Sequence, residues 1–391
     1  MSFLHQRFFR LYVVLIFVLL SKSSFGTVTY TWNKTTAGTF NWTDAANWNS
    51  SPSTPGGYPG SGGSTTDNAI LSSTTVTQTI TLPTGTLTLN SISCTGVSSH
   101  ILTFTMTGCD LVISGTSADW VYSTLNSANS ITVTASDHVK MDHSIFDNFP
   151  IALTCTNTTK SGGSVTTNQA LYVNSSTFAG AFTSSSKTYM FSSNTFSGIT
   201  SIEKKDFGAT TQSTSTGNAG NTFNNQTTFL CNDNAANSGI YWGQAIGSTQ
   251  DAFNGVTTFT NNSSNSFLIN TTSGTVNFTN HAYFYNTSSG SISLANTSSC
   301  VVNFTGSSSS IINVYCSNTG TGGIYMSISG AVNFDYANVV FGNTSTGTTR
   351  IGSVAVSTAV NTLKATSTLN TYPDASSVPS TVPATPYFSN G

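Results

Sequence analysis

Apolar and polar residues alternate with period two through residues 74–134, in the runs TTVTQTITL, TLTLNSI, ILTFTM, LVISG and SITVTA. Each run spans four to nine residues and gives way to Gly, Asn, Ser or Pro, as half-buried strands ending in turns do. Helical periodicity is absent. From residue 178 onward a second pattern takes over, a recurring phrase seen as NTFSGITSIEKK, NTFNNQTTFLCN and DAFNGVTTFTNN. Phe178, Phe196, Phe223, Phe253, Phe278, Phe304 and Phe334 hold its equivalent places, at intervals of 18, 27, 30, 25, 26 and 30 residues. The two residues after each Phe are mostly turn formers such as Asn-Gly and Ser-Gly. Six positions beyond the Phe a second apolar residue usually stands: Ile202, Phe229, Phe259, Phe284 and Val340, with Ser184 and Ser310 as the exceptions.

An internal period of roughly 20 to 50 residues means stacked units, because one unit alone cannot bury its apolar face. Each unit reads strand, bend, strand, polar turn, strand. These intervals are too short for propeller blades of about 40 to 50 residues. The pattern predicts an all-β protein: a single-stranded, right-handed parallel β-helix, with one unit per turn of the solenoid and each Phe above its counterpart. In FNGVTTF, Phe253 and Phe259 are expected to point inward, and Asn254-Gly255 to form a corner with positive φ. At about 27 residues per coil the strand-rich region makes roughly ten coils, a rod on the order of 50 Å long.

The chain ends differ from the repeat. MSFLHQRFFR and LYVVLIFVLL give a basic start and an apolar run, followed by small residues, the three-part pattern of a secretory signal peptide over 1–26. The run is shorter than the roughly 20 residues of a membrane-spanning helix, so no transmembrane segment is expected after its removal. Residues 27–73 hold Trp32, Trp42 and Trp48 and are expected to form an N-terminal aromatic cap, since the first coil otherwise exposes apolar interior and a strand edge. A rival reading makes those tryptophans a carbohydrate platform. The repeats are expected over 74–345, and 346–391 to hold the last strands and a Pro-rich linker, YPDASSVPSTVPATPYFSNG.

Composition narrows the function. Only 6% of the 391 residues are charged, against about 25% in an ordinary soluble domain, and the formal net charge is −2. Ser, Thr, Asn and Gly carry the polarity instead. With eight Lys/Arg beyond Lys22 there is no basic stripe to neutralise phosphates, which excludes nucleic acid as a partner. Six cysteines allow 15 pairings, and the separations of Cys94/Cys109 and Cys300/Cys316 raise two local disulfides as options beside six buried thiols.

The segment TWNKTTAGTFNWTDAANW, with its following PG and DNAIL, resembles the leader of large secreted bacterial β-helix surface proteins, including autotransporter-like adhesins. NTFNNQTTF and DAFNGVTTF are similar to repeats of cell-surface proteins in gliding, biofilm-forming bacteria. The resemblance covers most of the mature chain and implies an exported, surface-displayed parallel β-helix.

The densest ionisable cluster is SDHVKMDHSIFDNF, with Asp137, His138, Lys140, Asp142, His143 and Asp147. Polysaccharide hydrolases need one carboxylic acid to protonate the leaving oxygen and a second carboxylate to activate water. Strand parity opposes that reading, because it puts Asp137 and His143 on one face and His138 and Asp142 on the other. Glu203, Lys204, Lys205 and Asp206 offer a lyase-like base, against the plainer reading of a solvated outer face. Asp44 is expected to close a turn. Alternating Thr in TTVTQTITL matches flat ice-binding faces, but Thr forms strands anyway. Sequons at Asn33, Asn41, Asn157, Asn225, Asn270 and Asn303 are expected by chance in so Asn-rich a chain.

No catalytic, cofactor-binding or metal-ligating residue is assigned, and no cofactor is expected. The leading expectation is a secreted, extracellular or cell-surface adhesin or matrix component. Its partners are extracellular glycans or other surface proteins, met through amides, hydroxyls and outward Tyr or Trp242. A polysaccharide-active enzyme using the Asp137–Asp147 cluster, and a spacer for a further downstream domain, are the alternatives.

Overall fold

The computed structural model describes residues 27–54, 56–155, 170–207, 215–218, 220–235, 239–244, 250–269, 273–326, 330–343, 349–351, 362–363 and 368–372. The expected signal peptide at 1–26 and most of the expected C-terminal segment at 346–391 lie outside them. The strands form three sheets of 14, 13 and 12 strands. Apart from one antiparallel pair at the N-terminal edge of the first sheet, each hydrogen-bonded neighbour is the third strand along the chain, so the path visits all three sheets once per coil. One coil runs from Ile240–Gln244 in the first sheet to Asp251–Phe253 in the second and Thr257–Asn261 in the third. It returns at Phe267–Ile269, paired in parallel with the strand it left. This is a parallel β-helix.

The repeated Phe residues stack as the spacing predicts. Phe146, Phe178, Phe196, Phe223, Phe253, Phe278, Phe304 and Phe334 are register partners in the second sheet. Their rings form one interior column, with centroids 4.7–5.2 Å apart and planes within 14° of parallel. Phe229, Phe259 and Phe284 make a shorter column in the third sheet, at 4.8 and 5.3 Å. Each ring is buried, and withdrawing one from water contributes roughly 1.5–3 kcal/mol.

Several details depart from the sequence reading. Among the described residues the second sheet holds thirteen strands; eleven lie within 74–345, close to the ten coils expected there, and Gly38–Asn41 and Thr362–Leu363 extend the stack at its two ends. Early coils are shorter than the repeat, and Thr29–Trp32 and Gly38–Asn41 already pair into the first and second sheets. The counterpart of Phe284 is Cys316, followed by Phe341, not Ser310 or Val340. For Ser310 the physical reason is a small loop after Phe304, closed by a bridge between Ser307 and Ser310, which lengthens that coil. Gly255 is absent from the residues with positive φ. It is needed because an added Cβ would stand 2.0 Å from the Asn225 carbonyl oxygen one coil away.

The corner from the first sheet to the second is turned by single left-handed residues at Tyr122, His143, Ser175, Ser193 and Gly220, on successive coils. The residue after each points inward and caps the coil beside it. The backbone N–H groups of Ser123, Ser144, Ser176, Asn194 and Asn221 donate to the side chains of Ser144, Ser176, Asn194, Asn221 and Asp251 respectively. Such a ladder satisfies N–H groups that the bend removes from the sheets.

At the N-terminal end Trp48–Ser51 folds back antiparallel on Thr29–Trp32 and covers that edge of the first sheet. Trp32, Trp42 and Trp48 pack edge to face at 4.7–4.9 Å and are 6%, 0% and 6% exposed. Their ring N–H groups donate to Gln78, Pro59 and Trp42. With faces and donors turned inward, they offer no carbohydrate platform. All six cysteines are buried and unpaired. Cys94 and Cys109 lie in the first and third sheets, and Cys300 and Cys316 in the second and third. A separation of 15 or 16 residues is less than one coil and leads to a different sheet rather than a stacked neighbour.

Candidate functional site

Two exterior regions stand apart. The first is the ionisable patch on the first sheet. In the strand His138–Asp142, Val139 and Met141 point inward, so His138, Lys140 and Asp142 share the outer face. Asp119 lies beside Lys140 on the preceding coil and Tyr172 beside it on the next. His138 is clamped by two carboxylates: Nε2 lies 3.1 Å from Asp119 and Nδ1 2.8 Å from Asp137. The hydrogen bond to Asp119 is the main cause of a His138 pKa above the ordinary histidine value; burial opposes it and Asp137 adds to it.

Asp142 collects a second group. It accepts from Asn174 at 2.9 Å, lies 2.7 Å from His143 Nδ1 and is 3.8 Å from the Lys140 ammonium. The Lys140 ammonium also sits over the Tyr172 ring at 5.9 Å, and His143 stacks on Tyr122 at 4.7 Å.

The parity argument therefore fails at the strand ends. His138 and Asp142 do share a face, but Asp137 precedes the strand and curls onto His138. The left-handed backbone of His143 swings its ring onto Asp142. Period-two alternation holds only inside a strand, and both residues lie just outside one. Asp119, nineteen residues before His138, was missed because only coil stacking brings it there. Asp147 is not brought into either group.

Chemically the patch pairs its charged groups with one another. Both ring nitrogens of His138 are occupied by carboxylates, which leaves its imidazolium held rather than poised to exchange a proton with a third molecule. Among the described residues no three His, Cys, Asp or Glu side chains gather as a metal ion would require.

The second cluster of charges, Glu203 to Asp206, is not the uniform solvated face expected. Glu203 accepts from Ser185 and Asn232 on neighbouring coils, and Lys205 lies over the Phe207 ring at 5.5 Å. Lys204 points into the solenoid and pairs with Asp233 at 3.0 Å, the two side chains being 0% and 1% exposed. Alternation along Thr200–Lys205 requires that inward turn, because Ile202 on the same face fills the core. Asp44 does close a turn, accepting from the Ala46 N–H at 3.0 Å.

The second exterior region is sparsely charged, with Asp335 on the face that carries Asn333, and is built mainly from amides and tyrosines. On the second sheet Asn333 donates to Asn303 at 2.9 Å, Asn303 to Asn277 at 2.9 Å and Asn277 to Gln250 at 2.7 Å, one residue per coil. Asn254 donates to Asn224, and Asn262 to Asn232, in the same manner. On the third sheet Tyr283, Tyr285 and Tyr315 cluster with ring centroids 5.9–6.5 Å apart. Trp242, expected outside, is fully buried against Phe223 and Phe229.

In comparisons with protein-family profiles, with curated proteins and with solved structures, nothing matches this chain.

Proposed function

We propose that the chain is a secreted or cell-surface β-helix that works as an adhesin or a structural matrix component, without catalysis. The observation that supports this reading is the sparsely charged outer surface of the later coils, where amide ladders repeat once per coil beside the Tyr283–Tyr285–Tyr315 cluster. Strand spacing of about 4.8 Å makes such a surface periodic. A periodic array of weak sites suits extended, neutral partners such as glycan chains, since many weak contacts acting together give strong attachment. The apolar bodies and hydroxyl tips of the tyrosines match the mixed faces of sugar rings. Binding of residues 27–391 to an array of neutral glycans tests the reading. Tyr283→Ala with Tyr315→Ala is expected to lower that signal at least tenfold while leaving far-ultraviolet circular dichroism unchanged. No binding to any glycan, and no attachment of coated beads to cells or matrix, overturns it.

A second reading rests on the clamp of Asp119 and Asp137 on His138, which is a gathering of acid and base groups on one sheet face. It makes the chain a polysaccharide-active enzyme. Release of reducing or unsaturated ends from polysaccharides, lost in Asp119→Asn or His138→Gln, is the outcome that favours it.

A further inference from the structure

The side chains of Lys204 and Asp233 meet inside the solenoid, at the corner where the chain leaves the third sheet for the first. Lys204 stands in register with Cys231 of the next coil, and Asp233 follows Cys231 by two residues. In the coils beyond, the register positions of Lys204 and Cys231 are filled by Asn261, Asn286 and Asn318, buried amides that hydrogen-bond along the rod and to corner carbonyls. A charged pair thus occupies a place that the later coils give to neutral amides.

The geometry of this pair points to a covalent cross-link: we infer that the Lys204 Nζ condenses with the Asp233 carboxyl to form an intramolecular isopeptide bond. The Nζ lies 3.0 Å from Asp233 Oδ2. The Ala235 N–H donates to Oδ1 at 2.9 Å, and the Gly239 carbonyl accepts from Nζ at 3.3 Å. Holding amine and carboxyl at contact distance supplies most of what a bimolecular condensation lacks.

The step balances without any co-reactant. The ammonium first passes one proton to Oδ2, leaving a neutral amine beside a carboxylic acid. The Nζ lone pair attacks Cγ, and the charge that gathers on Oδ1 is stabilised by the Ala235 N–H, as backbone donors stabilise oxyanions elsewhere. A second proton moves from nitrogen to Oδ2, the Cγ–Oδ2 bond breaks and water departs. The third proton stays on nitrogen as the amide N–H. In the product that N–H keeps the Gly239 carbonyl, and the new amide oxygen keeps the Ala235 N–H.

The surroundings favour that outcome. A buried ion pair loses hydration that its mutual attraction only partly returns, whereas a hydrogen-bonded neutral amide carries no such penalty. Burial also pushes the Lys204 amine towards its neutral form, against the pull of Asp233. The bond ties one coil to the next in a rod whose six cysteines are unpaired.

The test is peptide mass spectrometry on the folded full chain after denaturation and tryptic digestion. A cross-linked peptide pair containing Lys204 and Asp233, lighter than the sum of its parts by one water, with trypsin failing to cut after Lys204, is the expected result. Lys204→Arg keeps the ion pair without a competent nucleophile and is expected to yield separate peptides. Asp233→Asn is expected to form the same final amide with loss of ammonia instead of water. Separate wild-type peptides at full mass overturn the inference, whatever the variants do. The result is independent of whether the rod binds glycans.

Discussion

The two halves of the rod build the same coil from different interiors. Up to about residue 155 the core is mostly aliphatic, with Leu71, Ile80, Leu89, Leu111, Leu125, Ile131 and Leu153 buried among scattered rings such as Phe104 and Trp120. From Phe178 onward it is dominated by parallel aromatic stacks, flanked at the corners by buried amides. Aliphatic side chains fill space without a preferred mutual orientation, so neighbouring coils can differ in sequence. Stacked rings and hydrogen-bonded amides repeat best against copies of themselves, and that is why only the second half reads as a repeat.

The largest expected effect probes that contrast directly. Phe253 lies between Phe223 and Phe278 in the column, at 5.1 and 4.7 Å. Phe253→Ala should destabilise the rod by about 3–5 kcal/mol, and Leu125→Ala by about 2–5 kcal/mol at its equivalent place in the aliphatic half. A double-mutant cycle of Phe223 and Phe253 in denaturant melts should give a coupling of about 0.5–1.5 kcal/mol beyond simple area burial. A coupling of zero would remove the distinction between the halves.

Next comes Asp251, the last member of the corner ladder, with Val276 above it. Burial is the main cause that raises its pKa to about 7, against hydrogen bonds from Asn221 that lower it. Between the unfolded carboxyl value and that pKa the folded chain holds a proton that the unfolded chain has lost. The contribution of Asp251 to stability is therefore most favourable at acid pH and falls as pH rises from about 4 to about 7, by up to about 4 kcal/mol. Asp251→Asn should flatten this decline in melts measured across that range. Asn286→Ala, which opens the buried amide run between Asn261 and Asn318, should cost about 1–3 kcal/mol. The smallest effect is at the outer clamp of the first half. Asp119→Asn should lower the His138 pKa in a nuclear magnetic resonance titration and change stability by less than about 1 kcal/mol.

How far the chain could be read in advance follows the same division. The Phe spacing foretold the coil, the stack and the parallel sheets, because a ring at each turn leaves a periodic mark. The corners left a fainter one. Tyr122, His143, Ser175 and Ser193 adopt positive φ without being Gly or Asn, so the residue types that most readily take that conformation did not announce them. Lys204 was hidden by the two charged neighbours that flank it. Asp119 met His138 only after a full coil was traversed, through the strands Ser123–Asn126 and Ser130–Ala135, rather than by any local motif.

The amide columns have a sense as well as a place. Inside, Asn261 donates to Asn286 and Asn286 to Asn318, towards higher residue numbers. Outside, Asn333 donates to Asn303 and Asn303 to Asn277, towards lower ones. These two runs of dipoles oppose each other, and the sheets themselves carry little net moment. The inner and outer amide columns therefore do not add to one another along the rod, and only the backbone ladder at the corner, which donates towards higher numbers on each coil, is left without an opposing run beside it.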